Sequence, residues 1–204
     1  MPLQLGSEPQ PDFDQPIQLI KDCHRRIEYF FEILLKIADL HGQELDPEHA
    51  NALEKALHYF KAATPRHTQD EEKSVFARLR QSSSPKAVEA AKLIDTLEQQ
   101  HQQADVIHTQ IDALGHLWLK DKTLSPQNAS QFHQRITHLQ FFYKQHIAIE
   151  ENHVFPVAQA LFTPEQLAQI GQEMKASRNL NPGRPESKCA QRRIKQANTD
   201  TQTV

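Results

Sequence analysis

The sequence predicts an all-α protein, an up-down-up-down four-helix bundle with a short fifth helix at its C-terminal end. Three observations predict it. Only five glycines occur in 204 residues, while Leu, Ala, Gln, Glu and Lys are abundant, which favours helix over a turn-rich β fold. Four long stretches repeat apolar residues three and four apart, the spacing of one buried helical stripe. Short connections separate those stretches, and short connections make successive helices antiparallel neighbours. A single domain is expected at this length, burying roughly 70% of the unfolded chain's surface.

Residues 1–15 are polar and proline-rich and read as a flexible N-terminal arm. The first helix is expected from Pro16 to His41, stopping at Gly42, with a seam of Ile17, Ile20, His24, Ile27, Phe31, Leu34 and Ala38. The second runs from Pro47 to about Arg80. Its seam is Leu53, Leu57, Phe60, Thr64, His67, Glu71 and Ser74, and Pro65 bends it just before His67. Ser84-Pro85 starts the third helix, which carries Ile94, Leu97, His101, Ala104, His108, Ile111, Gly115 and Trp118 inward. Ser125-Pro126 starts the fourth, with Phe132, Ile136, Leu139, Tyr143, His146, Glu150, His153 and Val157 on its seam. Thr163-Pro164-Glu165-Gln166 is a capping box that opens the fifth, which ends near Ala176. The bundle thus spans residues 16–176, and residues 177–204 read as a disordered basic tail.

A formal net charge of −3 gives no basic field for nucleic acid. The tail, with seven Lys or Arg from Lys175 onward, is the one place a weak nucleic-acid or acidic-partner contact would start. Tyr29–Leu40 is apolar but broken by Glu32, Lys36 and Asp39, so it is a core helix and no membrane span. Two cysteines make no disulfide framework and no signal-peptide pattern opens the chain, so a cytoplasmic location is expected.

Within this pattern, His67–Phe76 (HTQDEEKSVF) and His146–Phe155 (HIAIEENHVF) echo each other without gaps. Each opens with His and places Glu four residues on, His67/Glu71 and His146/Glu150. At about 100° per residue both side chains face one way, one turn apart. Glu72 and Glu151 turn away from that direction. His24 precedes His67 by 43 residues and His101 precedes His146 by 45, so His then His-x3-Glu occurs twice. Two similar helical hairpins facing each other would set all six polar side chains in one layer. Burying unpaired carboxylates costs several kcal/mol each. A pair of metal ions removes that cost, with His24, His67, His101 and His146 as terminal ligands and Glu71 and Glu150 bridging. Nitrogen and oxygen donors without thiolate suit iron or manganese, with zinc also open. Glu28 and Asp105, four residues after a ligand histidine, suit a metal contact, the orienting of an imidazole or a solvated helix surface. His108 and His153, seven residues on, suit a proton path or a polar core group. His41, His49, His116 and His133 read as ordinary surface histidines.

CHRRIE around His24, HTQDEEKSVF, EQQHQQAD around His101 and HIAIEENHVFP together resemble the hemerythrin-like family of HHE cation-binding domains over roughly residues 15–175. The resemblance implies a non-haem di-iron centre held by His24, His67, Glu71, His101, His146 and Glu150. Asp105 stands where the oxygen-carrying invertebrate members have a further histidine, so the pattern is closer to the bacterial branch than to oxygen carriers. That branch includes iron–sulfur cluster repair proteins, whose usual cysteine-bearing N-terminal domain is not expected here. The implied function is binding or sensing of a small oxidant, dioxygen, nitric oxide or peroxide. The alternatives are a di-iron enzyme that removes peroxide or nitric oxide, and an iron-handling or regulatory module with an electron-transfer or regulatory protein partner.

Overall fold

The structure, a computed structural model, describes residues 13–178. Among these every regular element is a helix: α1 (Pro16–Ala38), α2 (Pro47–Gln69), α3 (Ala77–Gln81), α4 (Pro85–Asp121), α5 (Pro126–Ile149), α6 (Phe155–Leu161) and α7 (Pro164–Ser177). A π-helical segment, Asp70–Phe76, joins α2 to α3, and a second, Glu150–Val154, joins α5 to α6. The protein is therefore the expected bundle of four long rods with α7 as the fifth helix. Most of the expected arm and tail lies outside the described residues.

Local chemistry sets the starts. Proline occupies the first turn of all five rods, where its missing N–H is not needed. Asp46 accepts from the His49 N–H and Ser125 from that of Asn128, and Thr163 and Gln166 form the expected capping box. Ser84 has the extended backbone of an N-cap, yet its side chain makes no capping hydrogen bond. α1 stops three residues before His41. The N–H groups of Leu40 and His41 donate to Ile37 and Ala38, and the chain reverses with positive φ at His41 (50°) and Gly42 (80°). A Cβ on Gly42 would lie 2.8 Å from the Leu124 carbonyl oxygen, so the turn needs glycine for contact as well as for φ. This turn is stitched to the α4–α5 turn: Leu124 N–H donates to Gly42 O (2.9 Å), and Leu45 N–H to Lys122 O (3.0 Å). Trp118 Nε1 donates to Gln43 O (2.9 Å).

α1 packs on α2 and α5, and α4 packs on the same two, so α1 and α4 stand diagonally opposite. Every seam residue of α1 and α2 named from the sequence is buried. The apolar core falls into two clusters. One, around Phe31, Leu53, Trp118 and Phe132, fills the end with the stitched turns. The other, around Ile20, Leu79, Ile94 and Phe155, fills the far end, which α7 covers. α7 docks through Met174 and Ile170 and by a close approach of Gly171 to the Phe13 backbone. Arg78–Glu173 (2.7 Å) and Arg178–Asp70 ion pairs flank it. No helix among the described residues is long and apolar enough to cross a membrane.

Candidate metal centre

Between the two apolar clusters lies a layer of buried polar side chains. His24 comes from α1, His67 from α2 and Glu71 from the first π segment. His101 comes from α4, His146 from α5 and Glu150 from the second π segment. All six are buried, Glu71, Glu150 and His24 completely. They fall into two overlapping groups: His24, His67, Glu71 and Glu150, and His101, His146, Glu71 and Glu150, with one donor atom per residue inside a 4.8 Å span in each. The two carboxylates belong to both groups, and each hairpin contributes both histidines of its own group.

The donor atoms converge, yet the carboxylates make no hydrogen bond of good geometry to any histidine. His24 Nε2 lies 3.5 Å from Glu71 and 3.3 Å from Glu150. His67 Nε2 is 3.3 Å from Glu71, His101 Nε2 3.4 Å from Glu71, and His146 Nε2 3.1 Å from Glu150. Yet both oxygens of Glu71 and of Glu150, and Nε2 of His24 and His67, have no hydrogen-bond partner of good geometry. Buried carboxylate oxygens in that state are costly. The separations are those of atoms sharing a central ion, because ligands about 2.1 Å from one cation lie about 3.0–3.4 Å apart.

The outward ring nitrogens fix the inward ones. His24 Nδ1 is 2.8 Å from Glu151 Oε1, and His101 Nδ1 is 2.8 Å from Glu72 Oε1. A carboxylate only accepts, so each Nδ1 carries the proton and donates. His146 Nδ1 does the same to Gln100 Oε1 (2.8 Å). All three Nε2 atoms are thereby aimed inward, the orientation that metal-ligating histidine uses. His101 Nε2 and His146 Nε2 then face each other at 3.0 Å, which two lone pairs tolerate only with a cation, proton or metal, between them. His67 alone has no partner on Nδ1. Phe155 lies parallel to the His24 ring (5.8 Å) and Phe76 to the His101 ring (6.4 Å), so the Phe that closes each repeat walls one imidazole.

The electrostatics ask for positive charge. Burial pushes His24 and His101 down, but the facing carboxylates outweigh it and raise them to about 10 and about 9. Protons there do a cation's work. Burial favours a neutral Glu71, and the surrounding His67, His101 and His24 override it and hold its carboxyl well below the usual range. Glu150 is also pushed up by burial and by Glu71, and is nonetheless held low by His146 and His24. His67 is lowered to about 4 by burial, so its ring is neutral at pH 7. A metal would displace the protons of His24 and His101 and leave neutral imidazoles and ionised carboxylates, the forms that bind it.

The orienting carboxylates differ from those the sequence suggested. Glu28 pairs with exposed Arg25 (2.8 Å), and Asp105 is exposed. Glu72 and Glu151 hold that role instead. His153, placed on the seam from its spacing, is exposed, whereas Val154, Phe155 and Ala158 are buried. His108 is half-buried, its Nε2 3.0 Å from the Tyr143 hydroxyl. His49, His116 and His133 pair with Asp46, Asp112 and Asp39 near the surface.

A family model described as the hemerythrin HHE cation binding domain matches residues 15–158. A curated relative, an uncharacterized protein of Haemophilus influenzae, is 28% identical over 178 residues, covering 85% of this chain and 96% of that protein. The matched stretch contains all six side chains of the buried layer.

Proposed function

The chain belongs to the hemerythrin HHE cation-binding family, and from that premise we propose that it holds two iron ions and binds or senses a small oxidant: dioxygen, nitric oxide or peroxide. His24, His67, His101 and His146 would be the terminal ligands, and Glu71 and Glu150 would be shared between the two ions. One observation carries this reading. The four oxygens of Glu71 and Glu150 and the Nε2 atoms of His24 and His67 are buried with no hydrogen-bond partner, while each of those oxygens lies 3.1–3.5 Å from a histidine Nε2. Six donors shared between two ions leave coordination positions open, which a purely structural site would close.

A ferrous pair, when bound, supplies two electrons and the open positions at which a small oxidant attaches. The chain supplies the rest. Glu72, Glu151 and Gln100 hold protons on the outward ring nitrogens, so the inward lone pairs stay available. Phe76 and Phe155 fix ring orientation and keep water from one side of each hairpin's first histidine. The apolar clusters above and below the layer leave little room for bulk water.

The test is a metal count followed by an anaerobic optical titration. Loading with ferrous iron should give about two ions per chain, and a near-ultraviolet band should grow on admitting dioxygen, nitric oxide or peroxide. Catalytic consumption of peroxide or nitric oxide would assign an enzyme, and stoichiometric binding a sensor. A chain that takes up no iron, or one zinc alone, overturns the reading.

A further inference from the structure

A crevice of about 400 Å³ lies between α2 and α4, beside the buried polar layer. Leu57, Phe60 and Ile111 are its apolar walls. At its inner end stand Thr64 and His108. Thr64 is buried, and its hydroxyl lies beside the Tyr143 phenol without a hydrogen bond of good geometry. The Tyr143 hydroxyl and His108 Nε2 share a hydrogen bond at 3.0 Å behind the crevice, and the Thr64 hydroxyl at its floor is left without a partner. Thr64 and Tyr143 each precede a buried-layer histidine, His67 and His146, by three residues, so this floor is about one helical turn, roughly 4.5 Å, from the layer. The Tyr143 ring is 6.2 Å from that of His146.

The dimensions decide the class of ligand. A diatomic needs about the 30 Å³ that one water takes in the liquid. Crevices of several hundred Å³ with apolar walls and a few converging polar groups are built for organic molecules. The lining sets Lys61 against Asp105 and Asp112, which disfavours an anion there.

We propose that the α2–α4 crevice binds a neutral organic molecule with an apolar body and a terminal hydroperoxyl or hydroxyl head, the head resting on Thr64 and facing the His–Glu layer. An organic hydroperoxide and the alcohol derived from it share this chemistry. The choice of a hydroperoxide rests on the reading of the layer as a centre for small oxidants, whereas the crevice itself does not.

Cumyl alcohol is an unreactive probe of the site. Calorimetric titration into the iron-loaded protein should show saturable binding with a Kd of about 1 mM or tighter, as about ten heavy atoms in a partly enclosed site allow. Thr109→Trp puts a large ring at the mouth from an exposed position and should weaken binding by about tenfold or more. Thr64→Val removes the floor hydroxyl at constant shape and should weaken it by about fivefold. Absent heat with the native chain, or equal affinity in both variants, overturns the proposal. A second arm separates it from the reading of the metal layer. Cumene hydroperoxide should oxidise the ferrous protein, its O–O bond breaking as it takes two electrons from the iron pair and two protons to give cumyl alcohol and water, and Thr109→Trp should slow this about tenfold while leaving hydrogen peroxide unaffected. Equal rates in both proteins for cumene hydroperoxide overturn the crevice alone. Failure of both peroxides with the native chain overturns the small-oxidant reading, and cumyl alcohol binding still decides the crevice.

Discussion

Glu72 and Glu151 do the same job with different neighbours. Each accepts the Nδ1 proton of a histidine on the adjacent helix, but Arg25 also pairs with Glu151, while Glu72 has no Lys or Arg paired with it among the described residues. The uncompensated charge of Glu72 should raise the donor strength of His101 more than Glu151 raises that of His24. Glu72→Gln should therefore lower metal affinity by about 10- to 100-fold, and Glu151→Gln by less, as read by competition with a chelator. Equal retention in both variants and the native chain would remove the orienting role. Sequence reasoning missed these two because it tested each glutamate only against the histidine on its own helix. A residue about 100° round from the seam points at the neighbouring helix, and the doubled Glu-Glu was the available signal. His108 gives a residue-scale pH effect. Burial lowers it to about 4 from 6.5. Its contribution is fully present above pH 6.5 and is lost as pH falls through that range, because the unfolded chain takes the proton first. At pH 5 this amounts to about 2 kcal/mol. His108→Gln should lose less stability than the native chain between pH 7 and pH 5 in denaturant titrations, and parallel pH curves would contradict it.

At the scale of the element, the π segments are what the sequence concealed. Ala77 N–H donates to Glu72 O and Phe155 N–H to Glu150 O, bonds that span five residues and so put an additional residue into the turn. Up to Glu71 and Glu150 the three-and-four spacing reads the buried face correctly. Beyond them the phase slips, so Val154, Phe155 and Ala158 face inward and His153 does not. A single hydrophobic period cannot show a local change of period, although both slips fall on the repeated Glu-Glu. Glycines separate two kinds of close packing between elements. A Cβ on Gly171 would sit 2.0 Å from the Phe13 backbone oxygen, and one on Gly115 would sit 2.7 Å from the Leu57 side-chain tip. Backbone cannot give way as a leucine tip can. Gly171→Ala should cost about 1–3 kcal/mol by displacing α7 or the chain at Phe13. Gly115→Ala gains up to about 1 kcal/mol of helix propensity against a small repacking cost and should be near neutral. Thermal melts of the two variants check the difference, and a neutral Gly171→Ala would mean that α7 is loosely held.

For the whole molecule, the polar layer divides one core into two, and its charge balance sets what holds the rods together. Helix order, antiparallel packing and the inward-facing histidines were legible because burial repeats with the helical period over long stretches. With metal bound, the two buried carboxylates are compensated at every pH where the ions stay bound. Without it, compensation falls to protons on His24 and His101. Chelation should therefore lower Tm at pH 7 by on the order of 10 °C, the effect of losing a ligand held about a thousandfold above its Kd. The sign of the pH effect follows from the direction of the shifts. Both histidines are raised above 6.5, so the stability they lend the metal-free protein is complete below that pH and is lost as pH rises through about 9 and about 10. Glu71 and Glu150 are then left as buried, unpaired charges. The metal-loaded protein has already released those protons and has nothing to lose over the same range. The Tm gap between loaded and chelated protein should therefore widen from pH 7 to pH 10, measured on desalted samples by scanning calorimetry. A gap that stays constant would mean that the protons are not what substitutes for the metal. No gap at any pH would mean that the layer does not depend on a cation at all.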